Sequence, residues 1–497
     1  MLEMNYFCSL KLEKQGKGRK SLIEVLKYDN MKFGIKKACV GLFSMLAIFC
    51  SCGEDRTDEF IEKTKDTHWL YDIMNEWYLW YSEKAPVSSY KDYFATPEKF
   101  FNKLLYKGDK YSYIEVLDKE TGTRSIDAVS SYGIDFALYV NPVTNSQSST
   151  ERFARVLYVL PESPAAEAGI RRGQWISGIG GEKLTSKNYT ALINGPETTI
   201  NTSVLNYQNP DSLYWETPDT LQLAASYHLD DNPFFVDTVY HIEGKRIAYL
   251  MYNRFTTGPG DTPTETEYNA EMKQIFARFK QAAPTDFILD LRYNPGGYLS
   301  CAQVLASLLA PQRAFGQIFC SLEFNDKKSS ENMSMLYEEG LTGGANLNLS
   351  RIYVITSEST ASASESIING LRPAMGNENI ILVGTQTEGK NVASISFNKS
   401  AEYGLILHPI VARVYNGDGE SDYANGFPPT YEIDELQFID DYRPLGDTDE
   451  IMLNSTLAII FGQVPSETRV TSSLRPTPLR PVYTSISEKS LKGMRIE

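Results

Sequence analysis

The chain is poor in the residues that most often carry metal and redox chemistry, with four histidines and six cysteines in 497 residues. The histidines, His68, His228, His241 and His408, fall in no motif that marks a ligand or a base, and the sequence assigns them structural places. No HExxH or CxxC spacing occurs beyond residue 52, so a metal mechanism has no support and neither a metal nor another cofactor is expected. Beyond the N-terminal segment only Cys52, Cys301 and Cys320 remain, which excludes a disulfide framework; whether Cys301 and Cys320 pair is left open. Lysine-rich sequence is confined to the N-terminus and the net charge is −15, a balance that argues against nucleic acid as a partner. The apolar run at 38–50 is too short to span a bilayer.

What is present is a large apolar complement. An apolar fraction of 42% and an aromatic fraction of 12% exclude a largely disordered chain, and the length calls for roughly two or three domains. From Met31 the sequence reads MKFGIKKACVGLFSMLAIFCSC, a basic segment followed by an apolar run of signal-peptide length, which predicts export. Ser51 directly before Cys52 resembles the lipobox of bacterial lipoproteins, in which the cysteine becomes the acylated first residue. Cys52 is therefore the expected lipidation site, and a lipid anchor in the outer membrane, on its periplasmic or surface face, is the expected location. The acidic residues just after it resemble the export signals of Bacteroides-type lipoproteins. Residues 1–51 hold nine Lys and Arg and four Asp and Glu, so the remainder carries 39 basic against 59 acidic side chains, net −20.

Five divisions are expected along the chain: an upstream extension and signal peptide (1–51), a tether and helical segment (52–129), a β-rich domain (130–228), a larger α/β core (229–450) and a C-terminal helix and tail (451–497). In the helical segment, Leu70, Ile73, Met74, Trp77, Tyr78 and Tyr81 recur at helical spacing, and TPEKFFNKLL predicts a second helix with Pro97 near its start. The aromatic stripe reads as packing surface. Between 130 and 225 the sequence turns to short strands and glycine turns, GIDFALYV, ARVLYVL and PESPAAEAGIRRGQWISGI, with a helix predicted in TSKNYTALI. This stretch resembles a PDZ domain. The resemblance implies that the loop Gly133, Ile134, Asp135 and Phe136 holds a peptide's terminal carboxylate on backbone N–H groups while the peptide adds as a strand. Gln174 departs from it, since such domains often carry Asp after the glycine.

From 245 onward, strand and helix alternate. Three apolar strands, DFILDL, IYVIT and IILVG, each run into a loop of small or polar residues, RYNPGG, SESTASASE and TQTEGK. That pattern predicts a largely parallel sheet, whose ligands collect beyond the carboxyl ends of the strands. The loops hold what acyl transfer needs: glycines that let backbone N–H groups approach an oxyanion, hydroxyls at a helix start, and Lys390, a base if burial keeps it neutral. Each has a plainer reading, as a turn, a capping box from Ser362 to Glu365, and a solvated loop lysine.

In this order, LDLRYNPGG, TASASESIINGL and VGTQTEGKNV resemble the tail-specific, or C-terminal processing, serine peptidases, over roughly residues 65–445. The resemblance implies a crotonase-like α/β protease core with an inserted PDZ-like domain and a helical N-terminal segment. It puts the nucleophile on Ser362, with Thr360 in place of the family's first serine, and the base on Lys390. The oxyanion donors fall on the backbone N–H groups of Gly296 and Ala363, with Gly297 the other glycine considered. Many members carry a glutamine four residues after the lysine to orient it; Ser394 stands there and is the possible orienting residue. A few extra residues between Ser362 and Lys390 are assigned to a loop at RPAMGNEN. The implied function is an exported serine endopeptidase acting on polypeptides with extended or C-terminal segments. Its rivals are a non-catalytic peptide-binding lipoprotein with a degenerate core and, third, an acyl-CoA enzyme of the crotonase fold.

Overall fold

The computed structural model describes residues 57–117, 130–144, 149–206, 213–216, 219–230, 232–438, 442–463, 479–486 and 495–496. The signal segment and Cys52 lie outside the described residues. Helix α1 (Thr57–Glu76) and helix α2 (Pro97–Leu104, opened by Pro97) form the expected helical segment. Leu70, Met74 and Tyr78 bury against Phe100, Phe101 and Leu104, and against Leu405 and Leu407 from the far end of the core. The aromatic stripe is packing surface.

The β-rich domain is an antiparallel sheet of β1 (Ile134–Val140), β2 (Arg152–Val159), β3 (Trp175–Ile179), β4 (Thr198–Ser203) and β5 (Asp219–Leu223), ordered β5-β4-β3-β2-β1. A short helix (Pro164–Glu167) lies between β2 and β3, and Gly169 follows at φ 79°, a left-handed conformation that glycine adopts freely. Gln174 accepts from the Arg171 N–H (2.8 Å) and so closes its turn with its own amide oxygen. The helix expected in TSKNYTALI is a single 3₁₀ turn (Tyr189–Leu192).

The core sheet runs β6 (Phe234–Ile242), β7 (Lys245–Tyr252), β8 (Asp286–Asp290), β10 (Ile352–Thr356), β11 (Ile380–Gly384) and β14 (Tyr431–Glu432); β9 (Ile318–Phe324), β12 (Val392–Ser394) and β13 (Ile410–Tyr415) belong to a second sheet described below. The β6–β7 pair is antiparallel and every other neighbouring pair is parallel. Successive residues of each strand bury on opposite faces. Ala248, Leu250, Phe287, Leu289 and Val354 pack with Met272, Ile275 and Phe276 of α3 (Glu267–Ala282), and with α4 (Leu299–Leu309) and α5 (Ala363–Met375). Tyr249, Met251, Ile288 and Ile355 meet Met452, Leu453 and Leu457 of α6 (Ile451–Ile460), and Tyr139, Phe153 and Trp175 of the β-rich domain. Both faces are covered, which is why the strands read as unbroken apolar runs.

The second sheet, antiparallel, joins β9, β13 and β12, with Met333–Leu336 at its edge. Cys301 and Cys320 are both buried and neither is in a disulfide. The RPAMGNEN segment is only partly a loop. Helix α5 continues through Pro373 to Met375, and the turn is confined to Gly376 and a 3₁₀ segment (Asn377–Asn379). Asn369 sits where Pro373 leaves its carbonyl without a helical donor, and Asn416 Nδ2 takes that carbonyl instead (3.4 Å).

Candidate active site

The loops after β8, β10 and β11 meet at the carboxyl ends of their strands because their backbones bond to one another. Asn294 O accepts from Ala361 N–H (3.2 Å) and from the Ser364 hydroxyl (3.1 Å), and Thr360 O accepts from Glu388 N–H (3.1 Å). Ser362 stands at the N-cap of α5 with φ 67° and ψ −116°. A non-glycine residue held there is strained by on the order of 1–3 kcal/mol, and such strain persists only where surrounding contacts over-determine it. The Ser362 hydroxyl is buried with no hydrogen-bond partner.

Glu365 supplies the restraint. It occupies the capping-box position, and its Oε2 accepts from the Ser362 N–H (2.8 Å). The same oxygen takes the Lys390 N–H (2.8 Å), while Oε1 takes the Thr387 hydroxyl (2.6 Å) and the Gly389 N–H (2.7 Å). One buried carboxylate thus fastens the serine loop to the lysine loop. Burial pushes its pKa up to about 7, against the pull of those four donors. The expected capping box is in place, with a close hydrogen bond only on its glutamate side. The glutamate reaches back, and the serine hydroxyl is left uncommitted.

Lys390 is fully buried. Burial lowers its pKa to about 7, opposed by the negative charges of Asp109, Glu365 and Glu388. Its ammonium nitrogen lies 4.9 Å from the centre of the Tyr111 ring. Asp109 is itself engaged by the Tyr78 hydroxyl (2.7 Å) and by the N–H groups of Tyr111 (2.9 Å) and Ser112 (3.0 Å). The helical segment therefore contributes Asp109 and Tyr111 to the site.

Gly296 packs directly under the serine: a Cβ there would lie 2.7 Å from Ser362 Cβ and 3.0 Å from Ala363 N. Only glycine fits. Its N–H, expected as an oxyanion donor, donates to Asn294 Oδ1 (2.8 Å). Asn294, anchored on Tyr252 O (2.8 Å), shapes the turn in a way the NPGG motif did not announce. Ala363 is the first residue of α5, where a backbone N–H has no carbonyl within the helix to bond. Ser394 closes β12; its carbonyl accepts from Ile496 N–H (3.0 Å).

Gly133, Ile134, Asp135 and Phe136 sit at the start of β1 but are covered. The free edge of β1 is taken by β15 (Tyr483–Thr484), paired antiparallel with Ala137 and Leu138. Ser485 accepts from Phe136 N–H (2.9 Å) and donates to Asp135 (2.7 Å). Gly133 is at φ 80°, and a Cβ there would lie 2.3 Å from Ser163 Cβ.

The histidines stand apart from this site. His408 lies 3.0 Å from Glu115 and stacks on Tyr113, and His68 stacks on Tyr93. Among the described residues no group of three or more His, Cys, Asp or Glu is placed to hold a metal, and no helix is long and apolar enough to cross a membrane. Glu365, Asp109, Tyr111 and Asn294 were missed by motif reasoning. Only Glu365 carried a signal, and that signal was read as a cap.

Residues 246–433 match the profile of peptidase family S41, and residues 67–113 that of the S41 N-terminal domain. A carboxyl-terminal-processing protease of Synechocystis sp. is 23% identical over 331 residues, covering 66% of each chain. A carboxy-terminal processing protease of Bacillus subtilis is 25% identical over 285 residues, covering 56% of this chain and 53% of the relative. The chain thus spans about half to two-thirds of the length of the curated relatives it matches. A solved S41 protease from Bacteroides fragilis superimposes with a TM-score of 0.69 at 36% identity, covering 79% of this chain and 97% of the other. On that identity, over nearly all of the solved chain, this protein belongs to peptidase family S41, a family of serine-type peptidases.

Proposed function

We propose that the protein is an exported, lipid-anchored endopeptidase that cleaves polypeptides through an acyl-enzyme, with Ser362 as nucleophile and Lys390 as base. The observation that carries this is the uncommitted Ser362 hydroxyl, buried in a strained turn that Glu365 ties to a buried lysine poised near neutrality. Neutral Lys390 takes the proton from Ser362 Oγ as that oxygen attacks the scissile carbonyl. The Ala363 N–H, at the positive end of α5, faces the developing oxyanion, and Gly297 replaces Gly296 as the glycine donor because the Gly296 N–H is engaged. Lys390 returns the proton to the leaving amine, then takes one from the water that opens the ester. Ser394, on the strand after the lysine loop, is the group proposed to orient the amine. The β-rich domain is read as PDZ-like and the core as crotonase-like. Export and acylation at Cys52 rest on the sequence alone.

The non-catalytic rival has less behind it. A scaffold gains nothing from a lysine whose charge is disfavoured by burial, since a buried ionisable group left without function is costly. A fluorophosphonate probe should label the wild type and not Ser362→Ala; equal labelling, or none in a folded wild type, would sink the assignment.

A further inference from the structure

Two described pieces of the C-terminal segment lie where a peptide substrate would have to run. The first, 479–486, fills the edge of β1: Tyr483 and Thr484 pair with Leu138 and Ala137, and Ser485 takes the Phe136 N–H. That is the edge on which an added peptide strand would dock. The second, Arg495 and Ile496, lies against the loop after β8 and the end of β12. Arg495 N–H donates to Gly297 O (3.0 Å), Leu299 N–H donates to Arg495 O (3.1 Å), and Ile496 N–H donates to Ser394 O (3.0 Å). Arg495 thus bridges the loop after β8 and the end of β12, one residue along that loop from the glycine that underlies Ser362.

The Arg495 side chain has a built subsite. Its guanidinium reaches both Asp261 oxygens (2.8 and 2.9 Å) and lies 4.2 Å from the centre of the Tyr298 ring, whose hydroxyl bonds Asp261 O (2.9 Å). Arg254 (2.5 Å) and the Thr256 hydroxyl (3.0 Å) hold the same carboxylate in place. The positive charge of Arg495 is also among the influences that lower the Lys390 pKa, which places it within electrostatic reach of the base.

Charge sets this segment apart. Residues 464–497 carry six Lys and Arg against three Asp and Glu, net +3, in a chain of net −15. Where the first piece crosses the core loops it walls a cavity of about 460 Å³ lined by polar groups that include Glu358, Gln386, Asp434 and Arg480. Leu479 and Ile486, at the two ends of this piece, are buried in the core.

We propose that the C-terminal segment is an intramolecular occupant of the peptide path. It is held in the cleft by Arg495 in a subsite made by Asp261 and Tyr298, and it must leave before a polypeptide can bind. The same subsite makes extended polypeptides with Arg or Lys in that register the class that displaces it. This rests on the reading of the Ser362 cleft as the substrate site, so the test measures binding without chemistry.

In full-length Ser362→Ala protein, the affinity for a fluorescein-labelled peptide copying residues 479–497 is compared with that of the same chain carrying Arg495→Glu. Repulsion from Asp261 should expel the internal copy, and the probe should bind at least about tenfold tighter. Adding Asp261→Asn should remove most of that gain, and Arg495→Lys should behave as the parent. Equal affinities with and without Arg495→Glu would overturn the proposal. Should Arg495→Glu lose its cooperative thermal transition, Arg495→Ala decides: tighter probe binding by about threefold or more supports displacement, and a lost transition there too makes the segment a structural strap and overturns it. Failure of the nucleophile assignment would appear in fluorophosphonate labelling and leave these affinities unchanged.

Discussion

Lys390 and Arg292 are two cations buried completely in the same core, three residues or fewer from the ends of neighbouring loops, and they end in opposite states. At Arg292 burial works against the charge and is overcome by Asp290, Glu450 and Glu435. The guanidinium makes paired bonds to Asp290 (2.6 Å) and Glu450 (2.8 and 3.1 Å) and one to Glu435 (2.9 Å), and Arg172 joins the cluster from the β-rich domain. Glu435 is held down to about 2 by Arg292 and Arg172 even though burial pushes it up. At Lys390 burial wins. The carboxylates around it also serve other donors: Glu365 serves four of them, Asp109 serves Tyr78 and two N–H groups, and Glu388 serves Tyr111. Depth is the same at both sites. What differs is the donor: a planar fork of N–H groups pairs with several carboxylates at once and outweighs its burial, and a single ammonium does so less well.

The largest effect should come from erasing the difference at the active site. Arginine at 390 keeps the charge and cannot deprotonate at accessible pH, so Lys390→Arg should lower turnover of an unfolded protein substrate on the order of 10⁴-fold, as expected for a member of a catalytic unit. Near-normal turnover would exclude the dyad. Next is the same substitution at both cations. Arg292→Met leaves buried Asp290 without its cation and Glu435 and Glu450 with Arg172 alone, and should destabilise by about 3–5 kcal/mol in denaturant titration. Lys390→Met removes a buried base and should stabilise by about 1–3 kcal/mol, a change of opposite sign.

The gain at Lys390 has a pH signature. The unfolded lysine holds its proton up to about pH 10.4 and the folded one only to about 7, so between these values unfolding takes up a proton and wild-type stability rises with pH. Lys390→Met should lose that rise. Two chains that depend on pH alike over this range would mean that Lys390 titrates normally. The smallest effect is expected of Glu365→Gln. It removes a negative charge that supports the ammonium, so the Lys390 pKa falls further and the rising limb of activity should move to lower pH by less than about one unit. A shift to higher pH would contradict the assigned influence of Glu365.

Much of this was written locally. The unbroken apolar runs at 287–289, 352–355 and 380–383 had to be strands covered on both faces, and small-residue loops after such strands had to gather at one end of the sheet. Ser362, Ala363 and Lys390 were legible because their chemistry sits in short contiguous stretches. Asp109 and Tyr111 were not, since nothing near KGDKYSY signals that a segment more than 270 residues from Lys390 supplies the carboxylate and ring beside it.

The sequence by itself determined the order of elements and the strand–loop–helix units, because periodicity and turn chemistry act over a few residues, while the resemblance of the three loop motifs supplied the candidate nucleophile and base. Tertiary structure alone decided which groups are committed. It gave the Gly296 N–H to Asn294, all four acceptor positions of Glu365 to the serine and lysine loops, and the edge of β1 to Tyr483 and Thr484. Hydrogen-bond partners and desolvation depend on distance in space, and no separation along the chain encodes that.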